Sequence, residues 1–138
     1  IKHETLKCLN ALDINFGASH SEFKITSEGD VYVIEVGARM GGDFIGSHLV
    51  PLSTGYDFLK GVIDVALDQF EKPVLSKNTF SGIYFLSKET EKITPFLLKN
   101  NTFDVQKEVF SLNLKNISNS NDRSGYLIYQ SNERIELL

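Results

Sequence analysis

The chain has 138 residues, a net charge of −4, 41% apolar and 23% charged residues. That balance is globular and long enough to bury a core, which excludes a disordered tail. Its apolar runs are too short to span a membrane, and its acidity argues against a nucleic-acid partner. The single cysteine, Cys8, excludes a disulfide framework and a cysteine-rich metal site. With no secretory signal, a reducing cytoplasmic setting is the expectation.

Ile1, Leu6, Leu9 and Leu12 recur at roughly helical spacing, which predicts an amphipathic helix to about Leu12. Ile1-Lys2-His3-Glu4 reads as a helix already under way, as in a piece of a larger protein. His20–Thr26 alternates apolar and polar residues, the pattern of a strand with one buried face. Ser27-Glu28-Gly29-Asp30 is turn chemistry, and Val31–Val36 is β-branched and aromatic. An antiparallel hairpin follows from these three segments.

Gly37–Gly42 is too glycine-rich for a helix interior. Asp43 is placed to cap a short helix from Phe44 to about Val50, which Pro51 interrupts. Asp57 is placed to cap a second, from Phe58 to about Phe70, with Gly61 marking close packing. Beyond Pro73 the texture turns to β. Strands are expected at Thr79–Leu86, Lys92–Thr94, Thr102–Phe110 and Gly125–Gln130. The charge also steps, from −6 over residues 1–71 to +2 over residues 72–138. The expected fold class is α+β, with an α+β unit at 1–71 and a small antiparallel β unit at 72–138.

Glu22 and Glu35 hold the chemical interest. A hairpin turning at Glu28-Gly29 pairs residues whose numbers sum to about 57, so the two glutamates face each other, with Cβ atoms about 5 Å apart. Like charges directly opposite are destabilising, and the neighbours Phe23, Ile34 and Val36 are apolar. A divalent cation resolves the conflict, and Mg²⁺ suits a site with few protein oxygens completed by water and phosphate. A solvated open strand face remains the plainer alternative. Arg39 lies just past the same strand end, where its planar fork matches phosphate or carboxylate. Gly41 and Gly42, ahead of the expected helix, add backbone amides suited to an anion.

His20-Ser21-Glu22-Phe23-Lys24 and Val33-Ile34-Glu35-Val36-Gly37-Ala38-Arg39-Met40-Gly41-Gly42-Asp43 together resemble the C-terminal half of an ATP-grasp domain. The likeness is to the carboxylase-like and L-amino acid ligase branch. Ser53-Thr54-Gly55-Tyr56-Asp57 resembles the stretch that follows the motif in that superfamily. Arg123-Ser124-Gly125 resembles an R-x-G turn of the small β domain after it.

The resemblance implies an antiparallel ATP-grasp sheet with helices over 1–71 and a carboxylase-like β domain over 72–138. It implies Glu22 and Glu35 as ligands of Mg²⁺, with Mn²⁺ as a possible substitute. Lys24, Glu35, Arg39, Gly41 and Gly42 join Glu22 around ATP, and Arg39 acts on the anionic intermediates. The implied reaction joins a small-molecule carboxylate to an amine, or to a thiol, through an acyl phosphate. The N-terminal part of the same protein is the implied partner, a homodimer is a possible assembly, and the chain alone is expected to be inactive. One departure stands out. Gly37 occupies the place where the superfamily usually has an Asn metal ligand, which bears on a second Mg²⁺. A non-catalytic nucleotide-binding or regulatory module is the alternative. A two-carboxylate hydrolase is a further one, since carboxylates about 5 Å apart also fit a retaining glycosidase.

Overall fold

The computed structural model describes residues 1–138. Four α-helices are α1 (Lys2–Ala11), α2 (Val50–Thr54), α3 (Phe58–Ala66) and α4 (Thr94–Leu98). Five strands are β1 (His20–Ile25), β2 (Val31–Gly37), β3 (Phe80–Leu86), β4 (Asp104–Val109) and β5 (Gly125–Ser131). A π-helical turn spans Ile45–Leu49. The chain forms two compact units, Ile1–Ser47 with Asp57–Pro73, and His48–Tyr56 with Val74–Leu138.

In the first unit β1 and β2 form an antiparallel hairpin. Its turn is held by Thr26: the Asp30 carbonyl accepts from the Thr26 amide at 3.0 Å, and the Thr26 carbonyl accepts from Gly29 N–H at 3.1 Å. Gly29 has φ of 93°, a conformation that costs other residues more. The ladder slips once between Glu22 and Phe23, so Ile34 is an extra residue on β2. Asp57 caps α3, its carboxylate accepting from Lys60 N–H at 2.9 Å, and Gly61 is buried within that helix.

The first unit has almost no interior of its own. Its buried residues are Gly46 and Gly61, while Tyr32, Val33 and Ile34 on β2, Ile63 on α3 and Leu67 just past it are exposed. The second unit holds the hydrophobic core. There β5 is the central strand of a β3-β5-β4 antiparallel sheet. Leu86, Ile93, Leu97, Leu127 and Tyr129 cluster at its heart. Tyr129 stacks on Tyr84 and meets Phe103 edge-on. The Tyr84 hydroxyl donates to the Ile135 carbonyl at 2.5 Å and accepts from Leu137 N–H, which ties down the C-terminal tail.

Two elements differ from the sequence expectation. Lys92–Thr94 is not a strand: Glu91–Ile93 is a 3₁₀ turn leading into α4. Pro95 lies in the first turn of α4, where its missing N–H costs nothing. Pro51 likewise starts α2 instead of ending a helix. Asp43 and Phe44 both have positive φ, 50° and 65°, and the helix expected from Phe44 begins as a π-helical turn at Ile45.

The segment His48–Tyr56 belongs with the β unit through specific bonds. Ser81 and Thr79 hydroxyls donate to the carbonyls of Leu49 and Leu52, and Gln130 Nε2 donates to Leu52 at 2.6 Å. The Thr54 carbonyl accepts from both Ser76 and Lys77 amides at 3.0 Å.

Candidate functional site

The hairpin register sets the site. Glu22 pairs with Glu35, and one step along the same face His20 pairs with Gly37. Both glutamate side chains are about half exposed, at 51% and 50%. On the other side of the bulge Lys24 pairs with Tyr32 and is exposed.

Each glutamate already has a partner. His20 Nε2 lies 3.0 Å from Glu22 Oε1. Arg39 Nη2 donates to Glu35 Oε1 at 2.6 Å, and its Nη1 donates to the Met40 carbonyl at 3.0 Å. The guanidinium thus spans from the strand end into the glycine loop. A Cβ at Gly37 would lie 3.3 Å from Arg39 Cγ, so the arginine stem runs over the space a side chain there would take.

Gly41 has a different necessity. A Cβ on it would come within 2.9 Å of His20 Nδ1 and 3.2 Å of Ile45 Cβ. Gly42 faces open space, so no steric need explains it. The structure therefore gathers Glu22, Glu35, Arg39, Gly41 and His20, and leaves Lys24 and Gly42 at the margin. The Met40 carbonyl as an anchor for Arg39 carries no signal in the sequence, because any residue supplies a carbonyl.

Two opposed carboxylates are hard oxygen donors of the kind Mg²⁺ or Mn²⁺ takes. No group of three or more His, Cys, Asp or Glu side chains converges to cage a metal. A cation held by these two carboxylates alone would take the rest of its shell from water and phosphate oxygens. In the second unit an open groove of about 600 Å³, lined in part by Lys77, Thr102, Phe103 and Asn132, contains none of these residues.

Arg123-Ser124-Gly125 finds a structural explanation. The Arg123 guanidinium sits 3.7 Å from the Phe85 ring centroid. A Cβ at Gly125 would come 2.5 Å from the Glu108 carbonyl and 3.1 Å from Val109 Cα, so β4 and β5 touch there only because the residue is glycine.

The architecture is the α+β arrangement expected from the sequence, and part of a solved ligase shares it. A solved L-amino acid ligase from Bacillus licheniformis shares it with a TM-score of 0.67 and 23% identity, over 96% of this chain and 37% of that one. The chain thus spans little more than a third of the ligase it matches. No family model matches the sequence, and no curated protein matches it. No helix is long and apolar enough to cross a membrane.

Proposed function

We propose that this chain supplies the metal and phosphate side of an ATP-dependent ligase site, joining a small-molecule carboxylate to an amine. The observation that carries the reading is the pairing of Glu22 with Glu35. Two carboxylates held opposite each other repel; Arg39 and His20 each meet one of them, and a divalent cation held by both would relieve the repulsion further. The likeness in fold to an L-amino acid ligase supports the same reading.

Glu22 and Glu35 would hold Mg²⁺, which when bound neutralises phosphate charge. Arg39 would bind the negative charge that develops beside them, and the Gly41 amide would add a donor. Lys24, on the Glu22 face, would approach the nucleotide, and the Gly42 amide would join the phosphate contacts. In the chemistry the resemblance implies, the substrate carboxylate attacks the γ-phosphorus and the bond to ADP breaks. The amine nitrogen then attacks the acyl carbon, phosphate leaves, and the amine proton passes to solvent. The adenine-binding part of such a site is contributed by other parts of the ligase, and the isolated chain is inactive.

A second, non-catalytic reading draws on Gly37. With Arg39 lying over it, no Asn-like ligand for a second metal is available at that position. One experiment separates the two. In a ligase carrying this chain, Glu35→Gln abolishes ADP release if the pair is catalytic and leaves it unchanged if the module is a scaffold. For the isolated chain, Mn²⁺ titration followed by electron paramagnetic resonance shows binding that Glu22→Gln and Glu35→Gln remove. Undiminished Mn²⁺ binding by both variants refutes the metal assignment.

A further inference from the structure

His20 touches both halves of the site. Its ring is largely buried, with 18% of the side chain exposed, whereas the two glutamates are half open. Nε2 faces Glu22 Oε1 at 3.0 Å. A carboxylate only accepts, so the nitrogen facing it carries the proton. The opposite nitrogen, Nδ1, lies against the glycine loop, where a Cβ on Gly41 would come within 2.9 Å. The ring therefore fills the gap between β1 and the loop, and the gap exists because residue 41 has no side chain.

We propose that His20 is a positioning residue: its Nε2–H orients the Glu22 carboxylate toward Glu35, and the Gly41 loop braces the ring from behind. The proposal rests on the reading of Glu22 and Glu35 as a cation pair. Glu22 has several rotatable bonds and is half exposed, so without this donor its oxygens wander in solvent. A fixed carboxylate meets the metal with its orientation already chosen, and losing such an outer partner typically weakens metal affinity about 10–100-fold. Arg39 meets Glu35 from the loop by charge, not through a neutral donor.

The test is Mn²⁺ binding to the 138-residue chain, followed by the resonance of free Mn²⁺, with circular dichroism to check folding. His20→Ala is expected to weaken binding about tenfold. His20→Gln, whose amide nitrogen reaches as far as Nε2, is expected to recover most of that loss. Gly41→Ala leaves the hairpin sequence intact and is expected to weaken binding by displacing the ring. Wild-type affinity in His20→Ala, with Glu22→Gln deficient, overturns the role of His20 and leaves the carboxylate pair standing. His20→Gln as defective as His20→Ala overturns it too, because the imidazole would then be a ligand itself. Equal affinity in wild type and Glu22→Gln removes the pair reading, and the proposal with it.

Discussion

Arg39 donates to Glu35 at 2.6 Å, and Glu35 is the residue that faces Glu22 across the hairpin. The arginine therefore occupies an oxygen that a cation would need. It relieves the repulsion between the glutamates, and a metal held by the pair would compete with it. Arg39→Met should raise the Mn²⁺ affinity of the isolated chain several-fold. The same change in a ligase carrying the chain should lower kcat by about 10²–10³, as loss of a charge-stabilising donor does. Opposite signs in the two assays are the expected result; weaker Mn²⁺ binding in Arg39→Met would contradict the competition.

Ser21 lies on the hairpin face opposite Glu22, and its hydroxyl is buried with no hydrogen-bond partner. An unmet buried hydroxyl costs free energy that an apolar replacement recovers. Ser21→Ala should be neutral or stabilising by up to ~1 kcal/mol, read from urea denaturation monitored at the hairpin. A clear loss of stability would reveal a partner for the hydroxyl in solution.

Gly125 should tolerate no side chain. Its Cβ would strike the Glu108 carbonyl, which is backbone and cannot rotate away. Gly125→Ala should destabilise the β unit by about 1–3 kcal/mol, the usual range for overpacking. Gly42→Ala, with open space around it, should cost far less on the same urea curve.

Asp104 should set part of the acid limit of the β unit. Burial pushes its carboxyl up, but hydrogen bonds from Lys107 and Asn101 and the lysine charge outweigh that and leave it below 3.8. A depressed folded-state pKa gives stability that is present above the unfolded value and lost as pH falls through the folded one. Stability of the wild type should therefore drop below about pH 4. Asp104→Asn should be less stable at neutral pH and show a shallower decline in acid, measured by thermal unfolding across pH.

The two units should also differ in their local opening. Leu127 and Ile128 on β5 are fully buried, whereas Val33 and Ile34 on β2 are exposed. Amide hydrogens of β5 should exchange most slowly, and those of β1 and β2 far faster, by NMR-detected exchange. Equal protection would mean that the hairpin is covered in solution.

The facing of Glu22 and Glu35 was legible because the turn is explicit: Gly29 marks it, and pairing numbers follow by counting. The bulge at Ile34 was not, since it sits in a β-branched run that reads as a regular strand. It lies between the turn and the glutamate pair: partners nearer the turn sum to 56, and the extra residue raises the sum to 57 at Glu22 and Glu35. Lys92–Thr94 misled because Ile93 and Thr94 favour strands locally, while Pro95 sets a helix start and Ile93 is drawn into the core. Arg39 is expected to bind an anion from its neighbours in the sequence, whereas its bond to Glu35 depends on how the chain leaves β2. Nothing in the spelling of Gly41 reveals that its missing side chain makes room for a histidine twenty-one residues earlier.

The carbonyl of Thr54 receives the amides of both Ser76 and Lys77. That staple turns the intervening chain, α3 included, into a closed handle whose two ends are gripped by the part of the protein with a core. Closing a loop is an entropic cost that grows only slowly with its length. Here the well-packed unit bears it. Lengthening the chain between Thr54 and Ser76 should therefore cost the core-bearing unit little, as read from its urea denaturation.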